Sequence, residues 1–430
     1  MQTNLAEEIK NTPEGREADA ILRKCVHCGF CLATCPTYNL LGDELDSPRG
    51  RIYLIKQMLE GAPVTVKTQL HLDRCLTCRS CETTCPSGVE YGRLVDIGRE
   101  MVEQKVGRGW VDAIKRSVLK NALPRTALFS TGLTIGRAMK AILPSILPAS
   151  LTKKIPARRE AGLRPEPRHA RNMLVLEGCV QPAMAPGINA ATVRVLDKLG
   201  ISLIAAPSAG CCGAIPHHLN DAKQAHAFIK RNIDAWWPYV EAGAEAIVGT
   251  ASGCGTMIAE YGHMLRHDAD YAEKAKRVSA LFRDVSQVIA EEAASLSPLM
   301  AKSKPADASA NMRIAFQSPC SLQHGLKIRG VVERLLRDAG YELTPVPDGH
   351  LCCGSAGTYS ILQSELSQQL LANKVKALES GQPQMVVTAN IGCLAHIEGG
   401  LNASSKIPIW HWIEVIDERL AATSGHEAKH

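Results

Sequence analysis

Two stretches of this chain repeat one cysteine spacing. CVHCGFCLATCP places Cys25, Cys28, Cys31 and Cys35 before Pro36, and CLTCRSCETTCP places Cys75, Cys78, Cys81 and Cys85 before Pro86. Both follow C-x2-C-x2-C-x3-C-P, the bacterial spacing for four-iron four-sulfur clusters. The spacing has a physical reason. Iron in sulfide clusters prefers soft thiolate ligands, and two-residue gaps wrap a short loop around three corners of a cube. The loop cannot close around the fourth corner, so that ligand comes from elsewhere. Zinc is the weaker reading, because zinc sites usually use two C-x2-C pairs without the third and fourth cysteines.

Where two such runs occur together, the fourth cysteine of each serves the other cluster. That rule assigns Cys25, Cys28, Cys31 and Cys85 to one cluster, and Cys75, Cys78, Cys81 and Cys35 to the other. Crossed ligation ties the loops together and keeps the clusters adjacent, as electron hopping requires. Gly29 lets the backbone approach closely, Arg79 is placed to raise a cluster's potential, and His27 reads as an exposed loop residue.

The remaining eight of the sixteen cysteines also fall into sets of four. The amino terminus, MQTNLAEEIKNTPEGREADA, is polar and acidic, without a signal peptide's cationic start and apolar core. No window approaches a membrane-spanning length of apolar residues. Clustered cysteines in a reducing cytoplasm are metal ligands before they are bridges. An aromatic content of 4% and a net charge of +6 over 430 residues offer no nucleic-acid surface.

Along the chain, residues 1–24 read as an amphipathic helix, and helices are expected around Ile52, Ile55 and Leu59 and over Leu94 to Val106. Residues 126–151 form an apolar stretch broken by Arg137, Lys140, Pro144 and Pro148. It reads as a helix packed on a neighbouring domain, or as an interfacial helix at a bilayer. The basic, proline-bearing segment 153–172 reads as a linker. From 171 onward the chain duplicates itself. One unit carries Cys179, Cys211, Cys212 and Cys254, and the other carries Cys320, Cys352, Cys353 and Cys393. Each cysteine follows a short Val- and Ile-rich run and precedes a helical pattern, which predicts βαβ units with parallel strands. Functional groups gather at the carboxyl ends of such strands, so four dispersed thiols can converge. The expected class is α/β overall: a mainly α-helical two-cluster domain at 1–110, a helical connector and basic linker at 111–170, and βαβ modules at 171–300 and 301–430.

The motifs G-C-V-Q, G-C-C-G, S-G-C-G and S-P-C-S, L-C-C-G-S-A-G, I-G-C-L resemble the cysteine-rich CCG domains of the heterodisulfide reductases and their relatives. Those include iron–sulfur subunits of anaerobic glycerol-3-phosphate dehydrogenase, lactate utilisation systems and glycolate oxidase. Paired ferredoxin-like runs before paired CCG domains, with the strings CVHCGFCLATCPTYNLLGDELDSPRGRIYLIKQ, RNIDAWWPYVEAGAEAI and HLCCGSAGTYS, are similar to the glycolate oxidase iron–sulfur subunits. The resemblance implies a cytoplasmic electron-transfer subunit, peripherally attached to the inner face of the membrane. FAD-binding partner subunits would oxidise glycolate to glyoxylate, and membrane quinone would be the acceptor. The chain lacks a strand-linked G-x-G-x-x-G of its own, in agreement.

The heterodisulfide reductase pattern ends each CCG module with C-x-x-C. Here Met257 and His396 stand where the fifth thiolates would be. Four thiolates per module can hold a further iron–sulfur cluster or zinc, or remain empty, and the two sets can also share one cofactor. His324 and His396 are candidates for a missing ligand or for a donor to cluster sulfur. His217 and His218 are candidates for a quinone pocket, and His350 lies nearby. Trp236 and Trp237 read as core or interface anchors, and Trp410 and Trp412 as packing on the last helix. A thiol–disulfide reductase subunit and a zinc-stabilised scaffold are the competing functional readings.

Overall fold

In a computed structural model, residues 1–142, 159–302 and 312–421 are described. The amino-terminal unit is helical. Thr12 accepts a hydrogen bond from the Gly15 amide, and Pro13 lacks an amide hydrogen, so a helix starts at Pro13 and runs to Lys24. The same two residues divide the expected 1–24 helix, leaving Glu7–Lys10 as a separate turn. Ser47 and Pro48 repeat the device for Pro48–Leu59. These helices pack on Tyr91–Val106 around Ile21, Leu22, Ile55, Leu59, Leu94 and Val95, with Cys25, Cys75 and Cys81 at the edge of the same core.

Two four-stranded parallel sheets follow. In the first, β1 (Arg171–Leu176), β2 (Ile201–Ala205), β3 (Ile247–Gly249) and β4 (Phe282–Asp284) lie in the order β2-β1-β3-β4. In the second, β5 (Arg313–Gln317), β6 (Glu342–Leu343), β7 (Met385–Thr388) and β8 (Ile409–His411) repeat it as β6-β5-β7-β8. The chain is thus α/β, with parallel strands and helical crossovers as expected. The edge strands β4 and β8 are additions; at three residues each, they are too short to carry a period in the sequence.

The two modules share one apolar core. Val175 and Val248 of the first belong to the same cluster as Phe316, Val387 and Ile416 of the second. Helix Gly187–Lys198 lies on helix Trp412–Ala421, where Arg194 pairs with Asp417 at 2.6 Å. Trp412 opens that last helix and is fully buried. Trp410 is 41% exposed beneath the Arg159 guanidinium, so only one of this pair is a core residue. Trp236 is buried, and half-buried Trp237 donates to Glu241.

His411 also joins the modules: its Nε2 lies 3.0 Å from the Thr250 carbonyl, and its Nδ1 faces the Ile413 amide. Burial pushes its pKa down to about 3. The folded protein therefore holds His411 neutral while the unfolded chain protonates it below about 6.5. Its share of stability is complete above that pH and declines on acidification towards 3. At pH 5 the loss is about 2 kcal/mol. Urea midpoints measured at pH 7 and pH 5 check this, with His411→Gln expected to flatten the difference.

Among the described residues no helix is long and apolar enough to cross a membrane. The apolar stretch begins as helix Thr126–Ile142, whose Leu128 and Ile135 are exposed. Its remainder, with the first part of the basic linker, lies outside the described residues.

Candidate functional site

The two cysteine loops share one backbone course. His27 and Gly29 in the first, and Thr77 and Arg79 in the second, all take left-handed conformations at equivalent places. For Thr77 and Arg79 this costs about 1–2 kcal/mol each. The alternation curls the loop around its own centre, and the Thr77 amide lies 3.4 Å from Cys75 Sγ.

Cys25, Cys28 and Cys31 line one pocket, and Cys85 enters it from the other run. Cys75, Cys78 and Cys81 line a second with Cys35, while Cys81 also borders the first. Burial, with the nearby Cys25 and Cys85 sulfurs, pushes the Cys31 thiol up to about 11. Burial also pushes Cys78 and Cys81 well up. Thiols this hard to ionise and crowded together fit a bound metal cluster, whose iron would hold them as thiolates.

The pockets differ in their surroundings. Cys28 is exposed, beside Val26 and Phe30 at 68% and 63% exposure. The second pocket is buried and rich in donors. Tyr91 Oη lies 3.6 Å from Cys75 Sγ, Thr37 Oγ1 3.3 Å from Cys35 Sγ, and the Arg51 guanidinium 4.0 Å from the same sulfur. Arg51 pairs with Asp46 at 3.2 Å, and both are buried. Tyr91, Thr37, Arg51 and Asp46 were not legible as site residues; only the family string containing DSPRGR pointed to that segment. Arg79 lines the second pocket, and its guanidinium also pairs with Glu260 of the first module at 2.9 Å. His27 is half-buried rather than exposed, with its ring edge-on to Tyr53.

In each module the cysteines sit at the carboxyl ends of strands. Cys179 follows β1, the Cys211–Cys212 pair follows β2, and Cys254 lies in helix Ser252–Ala259 after β3. Cys320, Cys352, Cys353 and Cys393 occupy the corresponding places around β5, β6 and β7. Within each set the sulfurs form a relay of contacts. Hydrogen bonds from Cys179 and Cys212 hold the Cys211 thiol down to about 4, while Cys179 and Cys212 are pushed up. In the other set Cys320 and Cys352 lie 3.7 Å apart, and Cys353 links Cys352 to Cys393. Gly213 and Gly354 end the two C-C-G motifs at φ near 90°, where a side chain is strained. A Cβ on Gly354 would also meet the Ser367 carbonyl at 2.6 Å.

Both sets open onto one central cavity of about 280 Å3, which Cys75 and Cys78 also reach. Cys78 adjoins Cys320, and Leu76, Tyr359 and Leu366 form a small apolar cluster that seats the second loop on the second module. His324 is buried there, bonded to Thr83 through Nδ1 and to the His350 carbonyl through Nε2. His396 shares a hydrogen bond with Ser367. Met257, standing for the fifth thiolate of the first module, is packed into an apolar core with Cys212 and Ile229. His217 and His218 line a neighbouring cleft with Asp96, and His218 also borders the thiol cavity.

Comparison with known proteins accords with this geometry. A 4Fe-4S dicluster domain family matches residues 21–89, and a cysteine-rich domain family matches 173–259 and again 314–398. The glycolate oxidase iron–sulfur subunit of Escherichia coli (strain K12) is 53% identical over 98% of this chain and 99% of its own length. A probable glycolate oxidase iron–sulfur subunit of Bacillus subtilis (strain 168) is 28% identical, covering 98% of each chain. Lactate utilization protein A of Geobacillus thermodenitrificans is 28% identical over 56% of this chain and 96% of its own. With two clustered thiol pockets ahead of a duplicated cysteine-rich fold, and agreement along nearly its whole length, this chain belongs to the family of glycolate oxidase iron–sulfur subunits, the electron-transfer subunits of an oxidoreductase.

Proposed function

We propose that this chain carries electrons inward from an exposed edge to the central cavity. Cys25, Cys28, Cys31 and Cys85 would hold one four-iron four-sulfur cluster, and Cys75, Cys78, Cys81 and Cys35 the other. The observation that carries this reading is the exchange of fourth cysteines, with Cys85 entering the first pocket and Cys35 the second. Bound clusters would supply one-electron carriers at both places. The protein's part is to order them. Val26 and Phe30 offer an exposed apolar rim at Cys28 for the partner that donates electrons. The donors around Cys35 and Cys75 favour the reduced, more negative state of the second position. The contact of Cys78 with Cys320 supports onward passage to the second module.

On this reading FAD-binding partner subunits oxidise glycolate to glyoxylate, and membrane quinone accepts the electrons at a peripheral contact on the cytoplasmic face. The support is the resemblance to the Escherichia coli glycolate oxidase subunit. The CCG thiols, Cys179, Cys211, Cys212 and Cys254 with Cys320, Cys352, Cys353 and Cys393, would hold a further cluster or zinc.

Two experiments test the reading. The isolated, cluster-loaded chain should oxidise no glycolate with a dye acceptor until the flavin subunits are added; turnover without them would overturn it. Tyr91→Phe removes one hydroxyl beside Cys75 without changing shape. A hydrogen bond worth about 0.5–1.5 kcal/mol converts to a fall of about 20–60 mV in one-electron potential. Redox titration followed by electron paramagnetic resonance measures it, with the larger fall expected at the second cluster, whose Cys75 the hydroxyl faces.

A further inference from the structure

A second cleft, of about 360 Å3 and lined by no cysteine, adjoins the thiol cavity at His218, between helix Tyr91–Val106 and the short helix Ala214–His218 of the first module. Its wall is acid-rich, with Glu14, Glu17, Asp96, Glu100 and Glu260 facing it. Arg79, Arg93 and Arg266 line the same cleft, each held by one of its acids. Arg79 and Arg93 bind Glu260, Arg266 binds Glu17, and Arg99 donates to the Leu72 and Cys75 carbonyls.

In this setting Asp96, His217 and His218 bring a carboxylate oxygen and two imidazole nitrogens within 4.8 Å of one another. His217 Nε2 already lies 3.2 Å from Asp96 Oδ2. The His218 ring is exposed, 5.2 Å from that of His217 between centroids, and takes no hydrogen bond among the described residues.

We infer that Asp96, His217 and His218 bind a borderline divalent cation, zinc foremost, at the seam between the amino-terminal unit and the first cysteine-rich module. The donor set selects the class. Two imidazoles favour zinc and its first-row neighbours, whereas magnesium and calcium prefer all-oxygen sites. Zinc bonds of about 2.0–2.2 Å place tetrahedral ligand atoms about 3.3–3.6 Å apart. His217 and Asp96 nearly meet that spacing, and an exposed His218 is free to rotate into it. The open cleft leaves the fourth position to water or a small ligand. Because Asp96 comes from one unit and the histidines from another, the ion would clasp the two. This inference is independent of which thiols hold clusters.

The test is equilibrium dialysis of the full chain, with its clusters in place, against free zinc, counting zinc, iron and sulfide per chain. His218→Gln and Asp96→Asn should each bind one zinc fewer, or bind it at least tenfold more weakly, with iron and sulfide unchanged. Zinc held by the CCG thiols cancels in the comparison with the unaltered chain. His218→Gln is decisive, because an exposed ring without hydrogen bonds is removed without disturbing the fold. Unchanged zinc stoichiometry and affinity in that variant would overturn the inference.

Discussion

Replacing Cys85 by serine is expected to remove the cluster built on Cys25, Cys28 and Cys31, and to spare the one whose run contains the change. The reason is positional. Cys85 lies with the first run's sulfurs, and its charge bears on Cys25 and Cys31. Iron should fall by about four per chain, and the magnetic interaction between two reduced clusters should vanish, leaving one simple signal. Cys35→Ser should do the converse. A serine alkoxide sometimes ligates iron weakly, so Cys85→Ala serves as the stricter variant. If Cys85→Ser abolished the signal from the Cys75–Cys81 loop instead, crossed ligation would be wrong.

The second large effect is structural. Asp46 is fully buried and receives Arg51 at 3.2 Å and Arg74 at 2.8 Å, while its carbonyl accepts from Thr37. Asp46→Ala would strand the Arg51 guanidinium, itself 1% exposed, without its carboxylate partner. Breaking a buried pair from one side costs about 3–5 kcal/mol. Because Arg51 and Thr37 also flank Cys35, cluster loss should accompany unfolding, so bleaching of the visible absorbance in urea reports both. Glu44→Ala, on the same turn, is the control. Its contact with Arg49 is part-exposed and is worth under about 1 kcal/mol. Equal shifts in the two variants would show that the buried pair has no special weight.

What could be read from the sequence was whatever local spacing encodes. The two C-x2-C-x2-C-x3-C-P runs needed only their own loops, and the Val- and Ile-rich runs before each later cysteine carried the parallel strands. What could not be read depends on distant partners. Nothing in the string DSPRGR says that its first acid and its last arginine will both be sealed beneath Cys35. Likewise β4 and β8 exist because β3 and β7 offer them an edge, not because three residues have a period. His324 lies shortly past a strand-end cysteine, yet its partners Thr83 and His350 turn it into a fastener between units. Arg79 fits its loop locally, and Glu260, far along the chain, decides where its charge points.

The interior common to both CCG modules constrains how the duplication can be taken apart. Val175, Val248, Phe316, Val387 and Ile416 pack as one body. Severing the chain between the repeats would leave each half with an oily flank in water, and neither fragment would stay dispersed.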